Sequence, residues 1–313
     1  MPGKGSIERG RLFSLYAGNL SIYHPTVTDK FLCPVCLTLF TRDALICDPS
    51  EVSLAHVIPK SVKGRLCTLV CRHCDNPIGS ACDSQLAREK HFHDWVQGAA
   101  NISGRLKYDD KQVAVESRLK RSTIEFRDIP KQSPPTSWEQ FLKAAVSGWS
   151  NFKFSFTVST FNPSKLSISI LYSAFLMMFY QFGYEYVLLP NVNKVRQFIQ
   201  GSGFPENMYK AIFPLSKGSS DIPSIFPSVS ILTEPPTIRS FIVALPSPRK
   251  AEITRCVLLP GFSNDGEKAY ECILGSPQPF GNIKATLIPN SQSSRLEDPS
   301  YKWFGNWLWK NVI

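Results

Sequence analysis

Acidic residues are the scarcer charge in this sequence. Against 35 Lys and Arg there are 25 Asp and Glu, leaving a formal net charge of +10 and a pI near 9.2. The shortfall favours an anionic partner, such as nucleic acid, and says nothing of fold. Residues 1–110 hold 13 Lys and Arg and 11 Asp and Glu, so +8 of the +10 lies beyond them. Locally the deficit is complete: from Val57 to Cys74 no Asp or Glu occurs, while Lys60, Lys63, Arg65 and Arg72 all fall there. The opening residues, "MPGKGSIERGRLF", lack the apolar stretch of a secretory leader. The expectation is a cytoplasmic protein in a reducing compartment, where paired cysteines bind metal more often than they form disulfides. An uninterrupted membrane-length run is also missing. "LSISILYSAFLMMFYQFGYEYVLL", 166–189, carries Ser167, Ser169, Ser173, Gln181 and Glu185 and is broken by Gly183. A buried core helix followed by a strand is expected there, with no membrane contact. No internal repeat is visible.

What is present suffices for a large core: 43% of the 313 residues are hydrophobic. The reading is α+β, in three parts. Residues 1–30 form an N-terminal arm with some strand, 31–100 a cysteine-paired domain, and 101–313 a mixed α+β accessory domain. "SACDSQLAREKHFHDWVQGA" has helical spacing, with Ser80 and Asp83 as a capping box. "QVAVESRL" and "STIEFRDI" alternate as strands do. "KQSPPTS" is a linker, and Thr136 with Glu139 caps the helix that follows. Helices are expected at 165–182 and over "NKVRQFIQ". A Pro- and Ser-rich loop is expected at 214–240. "RSFIVALP", "ITRCVLLPG", "AYECILG" and "IKATLIP" read as strands, and the aromatic end "YKWFGNWLWK" as a segment that docks on the body.

Nine cysteines are present, four of them as Cys33-x-x-Cys36 and Cys71-x-x-Cys74. Each pair forms a tight knuckle, and two knuckles complete a closed tetrahedral zinc site. The 34 residues between them exceed a minimal ribbon, so something is inserted. Cys47, Cys67 and Cys82 have no paired spacing and read as free or buried thiols. His73, His91 and His93 read as surface residues, and Asp83 as a helix-capping carboxylate. The insert holds "VSLAHVIPKSVKGR", in which alternation makes a strand ending at His56 and Pro59 stops it. A histidine at a strand end facing a cationic loop suits a scissile phosphate: the cations hold the anion while the imidazole takes a proton from water. The competing reading is a satisfied structural histidine beside a solvated basic loop.

Taken in order, "CPVC", "AHVIPKS", "GR", "TLVCRHCDN" and the tail Gly79-Ser80-x-x-Asp83 resemble the HNH endonucleases with zinc knuckles on both sides of the histidine. The resemblance spans about residues 31–90, and "LYSAFLMMFYQFGYEYV" is loosely similar to the carboxy-terminal parts of bacterial HNH proteins. It implies a ββα-metal fold pinned by Cys33, Cys36, Cys71 and Cys74 as structural Zn²⁺ ligands, with His56 as general base. Asp75 stands where the family has its last Asn or His and would help hold a catalytic Mg²⁺ or Mn²⁺, with Asn76 sharing or taking the role. Thr68 is the nearest candidate for the middle Asn that orients the histidine. The departure is Ala55, where the family often has Asp, Glu or His as a metal ligand.

The function expected is therefore a metal-dependent endonuclease acting on DNA, most naturally duplex, gripped through Lys60, Lys63, Arg65 and Arg72. Such a nuclease would fit bacterial defence or a mobile element. The accessory part would have a substrate, partner or sensing role, and the protein as a whole a regulatory protein partner or a homo-oligomeric state. The alternative is a catalytically inactive, zinc-stapled nucleic-acid-binding protein.

Overall fold

A computed structural model describes residues 4–47, 49–60, 64–81, 83–108, 111–121, 123–129, 132, 135–147, 152–155, 162–201, 211–216, 228–234, 240–245, 253–261 and 284–287. The fold is mixed α+β. Two compact units form, one from residues 1–84 with 163–313 and the other from 85–162. Neither boundary drawn from the sequence, at 30 or at 100, coincides with a junction of these units. The reason is packing of late residues onto early ones.

The first unit begins with α1 (Lys4–Tyr23), where an arm with some strand was expected. Leu12, Phe13, Tyr16, Ala17 and Leu20 are buried, a stripe at helical spacing that fixes the correction. The stripe covers β1 (Phe31–Leu32), which pairs with β2 (Leu39–Phe40) around the first cysteine knuckle. Next come β3 (Val52–His56) and β4 (Cys67–Cys71), an antiparallel pair, and then α2 (Arg72–Ala81).

The rest of this unit arrives from the far end of the chain. In α5 (Pro163–Phe182) every residue from Ser169 to Phe182 is buried. A helix apolar on all sides belongs in a core. It is the one helix among the described residues long and apolar enough to cross a membrane, and 83% of its most apolar window lies inside the protein. It packs on α2 and β4, and on three strands of a five-stranded antiparallel sheet. That sheet is β9 (Ile212–Ser216), β10 (Ser228–Glu234), β11 (Phe241–Leu245), β12 (Ile253–Leu259) and β13 (Lys284–Leu287), in the order β13-β10-β11-β12-β9. Two expectations are corrected. A short helix, α6 (Tyr184–Val187), replaces the strand after α5, because Gly183 at φ 56° lets the chain re-enter helix at once. Strands β9 and β10 occupy parts of the expected 214–240 loop, since Val229, Ile231 and Leu232 find a buried sheet position. "AYECILG" and the aromatic end lie outside the described residues.

Tyr184 ties these layers together. Its hydroxyl donates to the Leu32 carbonyl at 2.5 Å and accepts from the Leu32 N–H at 2.9 Å, while its own backbone N–H donates to Asn19 Oδ1 at 2.8 Å. After α6, helix α7 (Asn193–Ile199) ends at Gln200, whose side chain donates to the Val35 carbonyl inside the first knuckle.

The second unit takes most of α3 (Asp83–Val96), then β5 (Ile102–Tyr108), β6 (Lys111–Lys120), β7 (Thr123–Asp128), α4 (Pro135–Val146) and β8 (Phe152–Ser155). Its antiparallel sheet runs β7-β6-β5-β8. Leu106, Val113 and Val115 on one face meet Phe141 of α4, with Trp138 and Phe126 alongside. Gly98, at φ 69°, ends α3 against the Leu119 carbonyl, where a Cβ would overlap it. The helical run expected over 80–99 is split between α2 and α3, and Ser80 lies inside α2, so no helix start exists there to be capped. Its hydroxyl donates instead to the Pro77 carbonyl.

Tyr184→Phe strips the buried Leu32 backbone of both partners. The expected loss is about 1–3 kcal/mol of stability, read as a lower urea midpoint at unchanged m-value. An unchanged midpoint would show that the tyrosine hydroxyl contributes nothing.

Candidate metal centre and adjoining histidine

The first knuckle is a tight turn between β1 and β2. Cys33 N–H donates to the Thr38 carbonyl and Leu37 N–H to the Cys33 carbonyl, both at 2.9 Å, with Leu37 at φ 58°. The second knuckle uses a change of secondary structure: Cys71 is the last residue of β4 and Cys74 lies in the first turn of α2. The sulfurs of Cys33, Cys36, Cys71 and Cys74 all lie within 4.8 Å of one another. Cys36 and Cys71 are 3.7 Å apart. A tetrahedron with Zn–S bonds of ~2.3 Å has edges of about 3.8 Å, so the spacing suits such an ion. Cys33, Cys71 and Cys74 are buried and Cys36 half-buried, a closed site with no position left for a reactant. The four thiols cannot hold their protons independently. Hydrogen bonds from Cys33 push the Cys36 and Cys71 thiols down, while burial pushes Cys33 up and hydrogen bonding to Cys33 pushes Cys74 up. The Cys71 N–H also points at Cys33 Sγ, 3.5 Å away. These four residues can hold a metal ion such as zinc. Cys47 and Cys67 are free thiols outside this set, and Cys82 lies outside the described residues.

His56 ends β3 opposite Cys67, so the hairpin pinned by Cys71 also carries the histidine. It is half-buried. Desolvation lowers its pKa below the ordinary 6.5, the Lys60 charge lowers it further, and Asp75 acts in the opposite direction. The imidazole is therefore neutral at pH 7 and able to accept a proton. Beyond His56 the chain folds back on itself: Val57 N–H donates to the Leu66 carbonyl and Gly64 N–H to the Pro59 carbonyl. Gly64 is required there, because a Cβ would overlap the Ile58 carbonyl.

Asp75 sits in the first turn of α2, and both of its oxygens are held. Ser53 Oγ donates to Oδ2 at 2.7 Å and the Tyr172 hydroxyl to Oδ1 at 3.3 Å. Asn76 is exposed. Thr68 is fully buried opposite Ala55, and its hydroxyl lies 2.5 Å from the Tyr16 hydroxyl, so it is engaged with α1. Of the four basic residues, Lys60 and Arg65 are exposed and Lys63 lies outside the described residues. Arg72 is half-buried and donates through Nε to the Ser50 carbonyl at 2.6 Å, bracing the start of β3. Among the described residues no second cluster of three or more His, Cys, Asp or Glu could hold a metal. A Mg²⁺ ion is commonly bound by one or two carboxylates plus substrate phosphates and water, and a carboxylate has about four acceptor positions. Asp75 has about two acceptor positions left after Ser53 and Tyr172.

Three residues of this neighbourhood carried no signal in the sequence: Ser53, Tyr172 and Ser169. Tyr172 lies 97 residues from Asp75, and Ser169 lies 86 residues from Asp83, to whose Oδ1 it donates at 2.9 Å. Burial pushes the Asp83 carboxyl up to about 6, with Ser169 opposing and Asp75 adding to the rise. No protein-family model, curated protein or solved structure matches this chain.

Purified protein is expected to carry about one zinc per chain, released by a strong chelator with loss of structure. Cys71→Ser should lower metal content and melting temperature together. A metal-free chain that melts like the wild type would remove zinc from the description.

Proposed function

We propose that the chain is a metal-dependent endonuclease of HNH type that hydrolyses phosphodiester bonds in DNA, with His56 as general base. The supporting observation is the arrangement around His56. A neutral imidazole ends one strand of a hairpin, the other strand leads directly into the helix that presents Asp75, and the sulfur centre sits at that strand–helix junction. Ordering the hairpin ends places the imidazole and Asp75 on adjoining elements, with α5 bracing Asp75 through Tyr172. His56 accepts the proton of the attacking water, and its half-burial keeps the accepting nitrogen free of charge before reaction. Lys60 and Arg65, exposed on the loop beyond, hold the anionic backbone and position it. Ser53 and Tyr172 hold Asp75 in one rotamer. A divalent ion bound through Asp75 and the phosphate would supply charge neutralisation for the pentacovalent phosphate and the leaving oxygen.

A second reading has its own observation. Ala55 is 2% exposed and places a methyl group where a carboxylate would strengthen the metal site. Thr68 is bonded to Tyr16 and offers His56 no orienting contact. These two facts favour a zinc-stapled nucleic-acid-binding protein without cleavage. Plasmid DNA incubated with protein and Mg²⁺ or Mn²⁺ separates the readings. The nuclease should nick it, and His56→Ala should lose about 100-fold or more in rate while keeping its fold and its gel shift. Equal nicking by wild type and His56→Ala would sink the assignment of the base. Binding without nicking by either would leave the inactive reading.

The pH profile gives a second test. A base whose pKa is depressed is neutral, and active, above that pKa and lost as pH falls through it. Activity should already be on its plateau at pH 7, with the acid limb below the ordinary histidine value of 6.5. A half-maximum above that value would contradict the desolvation and Lys60 argument.

A further inference from the structure

The sheet of the second unit has an outer face that neither the sulfur centre nor His56 uses. Its inner face takes Leu106, Val113 and Val115 against α4. Strand alternation sends the intervening residues outward. There Arg105, Lys107, Arg118, Lys120 and Arg127 are all exposed. The register arranges them in order along β6. Gln112 lies opposite Lys107, Ala114 opposite Arg105, Glu116 opposite Arg127, Arg118 opposite Glu125, and Lys120 opposite Thr123. Each outward level of β6, from 112 to 120, thus holds one basic side chain, either its own or its neighbour's. Levels two residues apart are ~6.8 Å apart, so the row is about 27 Å long.

Two glutamates, Glu116 and Glu125, lie within the row, and Lys120 Nζ is 3.1 Å from Glu125. Across β5, β6 and β7 they leave the five cations an excess of three positive charges, in a unit that holds 12 Lys and Arg against 8 Asp and Glu. A sheet face with one exposed cation at each level, spread across β5, β6 and β7, complements an extended, regularly charged anion. Nucleic acid is that anion: its phosphates repeat regularly along each strand.

We propose that this outer face binds the phosphate backbone of nucleic acid, in addition to the contacts made by Lys60 and Arg65. The inference deepens the nuclease reading and rests on it for the identity of the partner as DNA. Contacts of this type hold a duplex in place and carry no sequence information.

The test is the triple variant Arg105→Gln/Lys107→Gln/Lys120→Gln in the full chain, its fold checked by its melt. Binding to a fluorescent duplex of about 30 bp is measured across salt concentrations. Three lost phosphate contacts should flatten the slope of log K against log salt by about 2.7 and weaken binding at least tenfold at roughly 0.1 M salt. Wild-type affinity and slope in the variant, or no duplex binding by either protein, would overturn the proposal. His56→Ala is measured beside it and should bind as wild type does. If His56→Ala still cleaves, the nuclease reading fails, while the salt slopes decide the sheet face on their own.

Discussion

Four sulfur atoms carry the organisation of the region that matters most. Between Phe31 and Cys74 the longest strands are five residues each, and a stand-alone pair of that size is marginal in water. The sulfurs of Cys33, Cys36, Cys71 and Cys74 converge where the β1–β2 knuckle, the end of β4 and the start of α2 meet. Fixing that point fixes the hairpin, and the hairpin fixes His56. The same convergence explains why Arg72 cannot serve purely as a phosphate contact. It stands between the last two ligands, and its guanidinium is drawn back to Ser50.

Burial supplies the second constraint. α5 is wrapped on one side by the five-stranded sheet and on another by β4 and α2. Its polar groups are put to use where they face the hairpin. Tyr172 reaches Asp75 and Ser169 reaches Asp83, so a core helix also sets the positions of carboxylates near the candidate site. Tyr16 and Phe179 stack with ring centroids 4.3 Å apart, which joins α1 to the same helix. The candidate site therefore rests on residues from both ends of the chain.

The sequence was most legible where spacing alone carries the chemistry. Cys-x-x-Cys states its own geometry, and the four predicted ligands do meet. The apolar run at 166–182 announced a buried helix, and the alternation in 112–119 announced β6. Three kinds of feature were hidden. α1 holds Gly5, Gly10 and Gly18, which lower helix propensity and obscured a clear stripe of buried residues. Strand β10 lies between proline-rich flanks that look like loop. Tyr172 beside Asp75 and Tyr16 beside Thr68 are contributed by distant helices, and no local pattern encodes a contact across 52 or 97 residues. Thr68 shows what this costs: a hydroxyl assigned to orienting His56 is bonded to α1.

The insertion of residues 85–162 between the two parts of the first unit has a consequence for biosynthesis. The cysteines, His56 and Asp75 leave the ribosome well before α5, whose Tyr172 follows Asp75 by 97 residues. At ordinary elongation rates that interval is roughly 5–20 s. During it the four sulfurs can already meet, while the part of α1 that packs on Phe179 and Tyr184 waits for α5 and α6. A metal ion held by the four sulfurs would thus find its ligands assembled before α5 completes the core of the first unit.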